Sequence, residues 1–171
     1  MLTKPNQSEY PEWYRGYLSL IDEDTDVLVF MENQLNEIVN LYSNITEEKG
    51  NYSYEEGKWS IKELLGHIID AEWMLSNRAL RFARYDKIDV PQYDHDDYAA
   101  KANYDKLKLQ DVVNQYKYLR TAIIAMFKSF DNNMWLTKGT SEGKSFTVRC
   151  FPYIISGHAQ HHLNILNERY L

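Results

Sequence analysis

The chain has 171 residues, of which 44% are hydrophobic and 26% are charged, and its formal net charge is −6. These values are ordinary for one globular domain, so we expect a single domain over residues 1–171. The negative charge, without a cluster of lysine and arginine, argues against nucleic acid as a partner.

Three further features limit the class of protein. No apolar run approaches the ~20 residues that span a bilayer, so we expect no membrane segment. The first seven residues turn polar at once and lack the apolar centre of a secretory signal, which predicts a cytoplasmic protein. Cys150 is the single cysteine. Any metal site must therefore be built from histidine and carboxylate side chains.

The first part of the chain predicts one short helix, one long helix and a loop. A leading helix is expected over residues 9–20, beginning near Pro11, because proline suits a first helical turn. Residues 24–43 carry apolar side chains at three- and four-residue spacing, which predicts the first long helix. Residues 46–58 contain two glycines and turn-prone residues, so we expect a surface loop there.

Three more long helices are predicted after this loop. Ser60 and Glu63 form a capping-box pattern, which predicts a helix from there to about residue 85. Residues 86–104 read as a long connection that contains one short helix capped by an aspartate. Apolar periodicity predicts helices over residues 108–130 and from Thr147 or Pro152 to Tyr170, with a loop over residues 131–146. The pattern is that of an all-α four-helix bundle.

The last helix carries a possible pair of metal ligands. His158 and His162 are four residues apart, so at about 100° per residue they lie about 40° apart on the apolar face. An i, i+4 histidine pair is a metal-ligand spacing. The pair alone also fits buried histidines that hydrogen-bond to backbone or carboxylate groups. His161 projects about 60° to the side of His158, which places it beside the site or at the surface.

A third histidine favours the metal hypothesis. His67 lies at the border of the apolar face of the capped helix, and facing helices of a bundle bring such side chains together. Three histidine ligands leave positions open for water or substrate, as in a catalytic site.

Three nearby charged residues receive separate predictions. Glu72 projects into the apolar stripe of its helix, so we predict a structural ion pair with an interior arginine, for which Arg169 is the candidate. Asp70 lies three residues after His67 and either orients a ligand from beside the site or is exposed.

Two sequence motifs resemble a known family. They read Gly57-Lys58-Trp59-Ser60-Ile61-Lys62-Glu63 running into Gly66-His67-Ile68-Ile69-Asp70-Ala71-Glu72, and Gly157-His158-Ala159-Gln160-His161-His162-Leu163-Asn164-Ile165-Leu166. With them the chain resembles the DinB-like superfamily, in particular its branch of metal-dependent hydrolases. The resemblance implies a four-helix bundle with an up-down-down-up arrangement, often dimeric, in which three histidines hold nickel or zinc. The matching positions are His67, His158 and His162.

The resemblance also implies a choice of reactions, since members include S-transferases and isomerases that use bacillithiol, mycothiol or glutathione. We expect an enzyme in which one divalent metal, nickel or zinc with manganese as a further possibility, activates water or a low-molecular-weight thiol against a small-molecule substrate. The alternative is a non-catalytic metal-binding or stress-response protein with a closed site. A di-iron bundle is disfavoured because it needs more inward carboxylates. A homodimer is expected from the family.

Overall fold

The computed structural model describes residues 2–91 and 93–171. Four long helices form a bundle, and short helices and one β-hairpin precede or connect them. In chain order the elements are α1 (Arg15–Leu18), α2 (Val27–Ser43), α3 (Glu47–Gly50), α4 (Ile61–Ala83), α5 (His95–Lys101), α6 (Leu109–Lys128), α7 (Asn132–Leu136), β1 (Lys138–Ser141), β2 (Lys144–Thr147) and α8 (Cys150–Arg169). Short 3-10 turns cover Gln7–Glu9, Glu12–Tyr14 and Tyr104–Lys106.

The helix that begins the first motif is capped as predicted. The Ser60 hydroxyl accepts a hydrogen bond from the Glu63 backbone N–H at 3.3 Å, and the Glu63 carboxylate accepts one from the Ser60 N–H at 2.7 Å. Both contacts satisfy backbone donors that have no partner inside the helix. This cap sets the residue at which α4 starts, and therefore the position of each of its side chains along the helix axis.

Helices α2 and α6 run in opposite directions. Lys128, at the end of α6, forms an ion pair with Glu32 in the first half of α2. Arg120, two turns earlier in α6, donates a hydrogen bond to Gln34, which lies later in α2. Residue numbers thus fall along one helix as they rise along the other.

Helix α4 is parallel to α6 and antiparallel to α8. The Lys62 ammonium, at the start of α4, donates to the Leu107 carbonyl just before α6, while Glu72 further along α4 pairs with Arg120. Near the other end of α4, the Phe82 ring lies 5.8 Å from that of Phe151 at the start of α8. His67, near the beginning of α4, meets the later residues of α8. These directions give the up-down-down-up arrangement and confirm the predicted fold class.

Three segments differ from the sequence-based prediction. The leading helix over residues 9–20 is instead two 3-10 turns followed by the single turn α1. The predicted loop over residues 46–58 contains α3, whose first turn is capped by the Thr46 hydroxyl. The predicted loop over residues 131–146 contains α7 and most of a hairpin. Glu142 and Gly143 connect its strands with positive φ angles of 48° and 68°, the conformation that a tight hairpin turn requires.

The connection between α4 and α6 is long because the two helices are parallel. The chain must return along the bundle, and it does so over residues 84–108. Val90 pairs with Ser141 of the hairpin, and the Asp94 carboxylate caps α5 by accepting from the backbone of Asp96 and Asp97. The predicted aspartate cap is confirmed. Within residues 2–91 and 93–171, every helix is too short or too polar to cross a membrane.

The amino-terminal segment packs across the start of α8. The Arg149 guanidinium pairs with the Glu9 carboxylate, and the buried Cys150 thiol donates to the Glu9 carbonyl at 3.1 Å. Burial raises the pKa of the Cys150 thiol to about 12, so it stays protonated at neutral pH. Further along, α1 lies so close to α8 that only glycine fits at position 157.

Replacing Gly157 with alanine should push α1 away from α8. A Cβ at this position would lie 2.1 Å from the Tyr17 carbonyl oxygen, whereas real Cβ atoms essentially never approach closer than 3.0 Å. We expect a loss of about 1–3 kcal/mol in the free energy of unfolding, measured by urea denaturation. Gly16→Ala is the matched control, because a Cβ there meets nothing within 4 Å. Equal stability of the two variants would contradict the close approach.

Candidate metal centre

Three histidine rings meet between α4 and α8. The Nε2 atom of His158 lies 3.1 Å from that of His67 and 3.1 Å from that of His162. One nitrogen atom from each ring can be chosen so that all three atoms lie within 4.8 Å of one another. All three side chains are buried, with 7–8% of each residue exposed. The three residues predicted from the sequence are therefore brought together.

Helix geometry explains how the rings converge. His158 and His162 are one turn apart on the inward face of α8, and His67 lies on the face of α4 that packs against it. Their rings are held by aromatic contacts: His158 stands edge-on to Tyr17 with centroids 5.3 Å apart, and His67 lies 4.7 Å from Trp59. The Nδ1 atoms of His158 and His162 are buried without a hydrogen-bond partner among the described residues. Packing, rather than a carboxylate, sets the orientation of these two rings.

Burial keeps the three imidazoles neutral. It lowers the pKa of His67 to about 4 and that of His162 to about 3, and it places the pKa of His158 well below its usual range. The proximity of the other histidines acts in the same direction on His158 and His162. At neutral pH each ring therefore has one nitrogen lone pair to offer.

The donor set fits a metal ion better than it fits hydrogen bonding within the protein. A ring nitrogen carries either one hydrogen or one lone pair, so His158 Nε2 can form a linear hydrogen bond with only one of its two neighbours. A divalent cation would accept all three lone pairs at once. Imidazole ligands suit zinc, nickel, copper and iron.

The other polar residues near the cluster have partners that the sequence did not reveal. His161 is partly buried, and its ring contacts Tyr17 at 5.5 Å and His162 at 5.1 Å, so it lies beside the three histidines. The Asp70 carboxylate accepts a hydrogen bond from the Tyr104 hydroxyl at 2.9 Å. Burial raises the pKa of Asp70. Its partner is thus a tyrosine and not a histidine.

The predicted ion pair between Glu72 and Arg169 is wrong. Glu72 accepts a bidentate pair of hydrogen bonds from Arg120, and both side chains are fully buried. Arg169 instead donates to the Tyr54 hydroxyl at 3.2 Å. It is the last residue of α8, at the end of the bundle where α4 begins, whereas Glu72 lies about 16 Å further along α4. The angular projection correctly predicted that the Glu72 carboxylate is buried. It did not consider the positions of Glu72 and Arg169 along the bundle axis.

The ion pair belongs to a polar network that joins all four long helices. Arg120 also donates to the Gln34 side-chain oxygen at 3.1 Å. Gln34 in turn donates to the Ser156 carbonyl at 3.0 Å and to Gln160 at 3.2 Å. Ser156 and Gln160 lie on α8, on either side of His158. The network therefore contacts α8 at the height of the candidate ligands.

The three histidines open into a cleft of about 430 Å³. Its walls come from the amino-terminal segment, from α4 and from the connection that follows α4. Besides the histidines it is lined by Trp13, Tyr14, Tyr17, Trp59, Ala71, Leu75, Arg78, Tyr93 and His95. The ring of His95 lies 6.0 Å from that of His67.

Sequence patterns did not identify most of these residues as part of the site. Tyr17, Tyr93 and His95 lie in short segments without helical periodicity, so no pattern could assign them a direction. A signal for Arg78 was present, because it follows His67 by 11 residues and thus lies within about 20° of it on α4.

A family comparison identifies the superfamily of this chain. The model of the DinB superfamily matches residues 31–166, which include the three histidines and all four long helices except the first residues of α2 and the last of α8. The chain belongs to the DinB superfamily. No curated protein matches the sequence significantly.

Two solved structures share the fold of this DinB superfamily member. YfiT from Bacillus subtilis, described as a probable metal-dependent hydrolase with an unusual four-helix bundle topology, superposes with a TM-score of 0.68 at 15% identity. That alignment covers 96% of this chain and 90% of YfiT. A mycothiol-dependent maleylpyruvate isomerase superposes with a TM-score of 0.68 at 12% identity, over 85% of this chain and 61% of the isomerase. At such identities the two structures support the fold.

Proposed function

We propose that this DinB superfamily protein is a metal-dependent enzyme that activates a low-molecular-weight thiol or water for S-transfer to, or hydrolysis of, a small molecule. The observation that carries the proposal is the position of the three neutral histidines at the cleft of about 430 Å³. His67, His158 and His162 would hold one divalent ion, with nickel or zinc favoured and manganese as a further choice. A bound ion of this kind lowers the pKa of a water or thiol that it ligates.

The side chains of the cleft would perform the remaining tasks. Tyr17 and Trp59, whose rings contact those of His158 and His67, would limit the access of water to the reacting atoms. His95 has a side chain that is 60% exposed and a ring whose centroid lies 6.0 Å from that of His67, so it would contact a molecule that enters the cleft from solvent. His161 and Tyr17 would hold the rings of His162 and His158 in place through their contacts.

The alternative is a non-catalytic metal-binding or stress-response protein. It predicts a closed site in which the protein supplies every ligand and no cavity reaches the ion. The cleft beside the three histidines favours the enzyme. A homodimer and a cytoplasmic location are further parts of the proposal, and the superfamily resemblance supports the dimer. Analytical sedimentation of the purified chain tests the dimer directly.

The reaction can be tested with reporter substrates. Protein reconstituted with nickel or zinc should accelerate the displacement of chloride from monochlorobimane by bacillithiol, mycothiol or glutathione, or the hydrolysis of p-nitrophenyl acetate. We expect at least about a tenfold acceleration over metal-free protein. His158→Ala treated in the same way should show only the background rate. Fully metal-loaded protein that accelerates neither reaction would favour the non-catalytic alternative.

A further inference from the structure

Arg78 is the one side chain with a fixed charge among the described residues that line the cleft. The other lining residues are aromatic, aliphatic or histidine. Arg78 lies on α4, three turns beyond His67 on nearly the same face, and only 2% of the residue is exposed. A guanidinium remains charged in any protein environment. The cleft thus has a neutral histidine end and a cationic end.

The partners of Arg78 leave its charge uncompensated. One terminal nitrogen, Nη2, donates to the Pro91 carbonyl at 3.2 Å. The Nε atom is buried and has no hydrogen-bond partner within the described part of the chain. No carboxylate in residues 2–91 or 93–171 lies within 4.0 Å of it.

Two other arginines of this protein show the usual arrangement. The buried Arg120 is bidentate with Glu72, and the partly buried Arg149 pairs with Glu9. A buried charge that lacks a counter-ion costs several kcal/mol, because the lost hydration is not replaced. Arg78 departs from this pattern, and it lines a cleft in which a ligand could supply the missing negative charge.

Helix geometry gives the length of ligand that would reach both ends. His67 and Arg78 are 11 residues apart, which separates their Cα atoms by about 16 Å. The lean of side chains toward the amino terminus of a helix applies to both residues, and the longer Arg78 side chain reaches further than the His67 ring. The gap between the two ends is therefore on the order of 10 Å or slightly more, and Ala71 and Leu75 of α4 line the same cleft between them. A molecule in this gap would have an apolar body.

We infer that Arg78 binds the carboxylate of a small organic acid whose opposite, reacting end reaches the three histidines. This inference rests on the proposed function and names its substrate class. A carboxylate is favoured over a phosphate dianion because a single cation lines this part of the cleft, and one guanidinium neutralises one negative charge. The simpler reading is that Arg78 only ties the connection at Pro91 to α4.

Calorimetric titration with two probes separates these readings. Octanoate and octanamide share their length and apolar body and differ in charge, and they are titrated into the metal-loaded full chain. Wild-type protein should bind octanoate at least about tenfold more tightly than octanamide. Arg78→Met should bind the two probes equally, and Arg78→Lys should keep part of the preference. Arg84→Met, six residues further along the chain and outside the cleft, is the matched control and should behave as wild type.

Two further measurements separate this inference from the metal hypothesis and from a folding defect of the variant. His158→Ala should retain the preference for octanoate, so that a failure of the metal hypothesis is seen separately from a failure of this one. If Arg78→Met does not fold, the octanoate affinity of wild type must still fall with added KCl while that of octanamide stays constant. Equal binding of both probes by wild type, no octanoate binding at about 10 mM, or an unchanged preference in Arg78→Met would overturn the inference.

Discussion

Replacing His158 with alanine should reduce bound metal from about one ion per chain to about zero. His158 Nε2 is the atom that both other ring nitrogens approach at 3.1 Å, so its loss leaves two donors that no longer share a common neighbour. His67→Ala and His162→Ala should have the same effect. The measurement is elemental analysis of untagged protein after reconstitution with nickel, zinc or manganese and removal of free ion.

His161→Ala is the matched control for this experiment. The residue lies next to His162 on the same helix and touches its ring, yet it does not belong to the group of converging nitrogens. We expect it to keep nearly all of the metal. Because an ion that binds only the folded chain stabilises it, added zinc should raise the melting temperature of wild type and of His161→Ala but not that of His158→Ala.

Two outcomes would contradict the metal assignment. Equal loss in all four variants would show that the residues act together in packing and that the site is not defined by three nitrogens. Absence of metal from wild type after reconstitution would make the histidines core residues. The inward histidine pair would then be a packing feature, and the proposed enzyme would lose its basis.

The bundle and the three histidines could be predicted because they depend on repeating patterns. Apolar spacing of three and four residues predicted α2, α4, α6 and α8, with ends within three residues of those observed, and the Ser60 capping box fixed where α4 begins. The i, i+4 spacing placed His158 and His162 on one inward face. Each inference needed only the geometry of a single helix.

Relations between helices were harder to predict, as Glu72 illustrates. The projection indicated a buried carboxylate that needs a cation, and this is what the structure shows. The choice of Arg169 over Arg120 depended on where each residue lies along the bundle axis. That height is set by the packing of α4, α6 and α8 against one another, which a projection down one helix does not contain.

The walls of the cleft could not be predicted from periodicity. Tyr17, Tyr93 and His95 come from short elements and connections whose direction is fixed by local contacts, such as the approach of α1 to Gly157 and the pairing of Val90 with the hairpin. These segments carry most of the difference between a bare three-histidine bundle and a cleft that could select a substrate. Resemblance to the superfamily implied the metal site but gave no assignment for these side chains.

Arg120→Met should destabilise the fold by about 3–5 kcal/mol, because it leaves the fully buried Glu72 carboxylate without its partner. Burial raises the pKa of Glu72 while Arg120 opposes the rise, so removal of the guanidinium leaves burial to favour the protonated acid. The Gln34 side-chain oxygen also loses the hydrogen bond that Arg120 donates. Through this bond and its own bond to the Ser156 carbonyl, Gln34 connects α6 to α8. Urea denaturation of the metal-free protein, followed by circular dichroism, measures the loss without a contribution from metal binding.

A double variant distinguishes the cost of an unpaired charge from the value of the pair itself. Glu72→Met combined with Arg120→Met replaces both charges with apolar side chains and should recover much of the stability that the single variant loses. Arg169→Met, which removes an arginine from the surface, should change stability by no more than about 0.5 kcal/mol. A double variant less stable than Arg120→Met would instead mean that the pair stabilises the bundle outright. In that case the network between Gln34, Glu72 and Arg120 would itself hold α8 at the height where its two histidines meet His67.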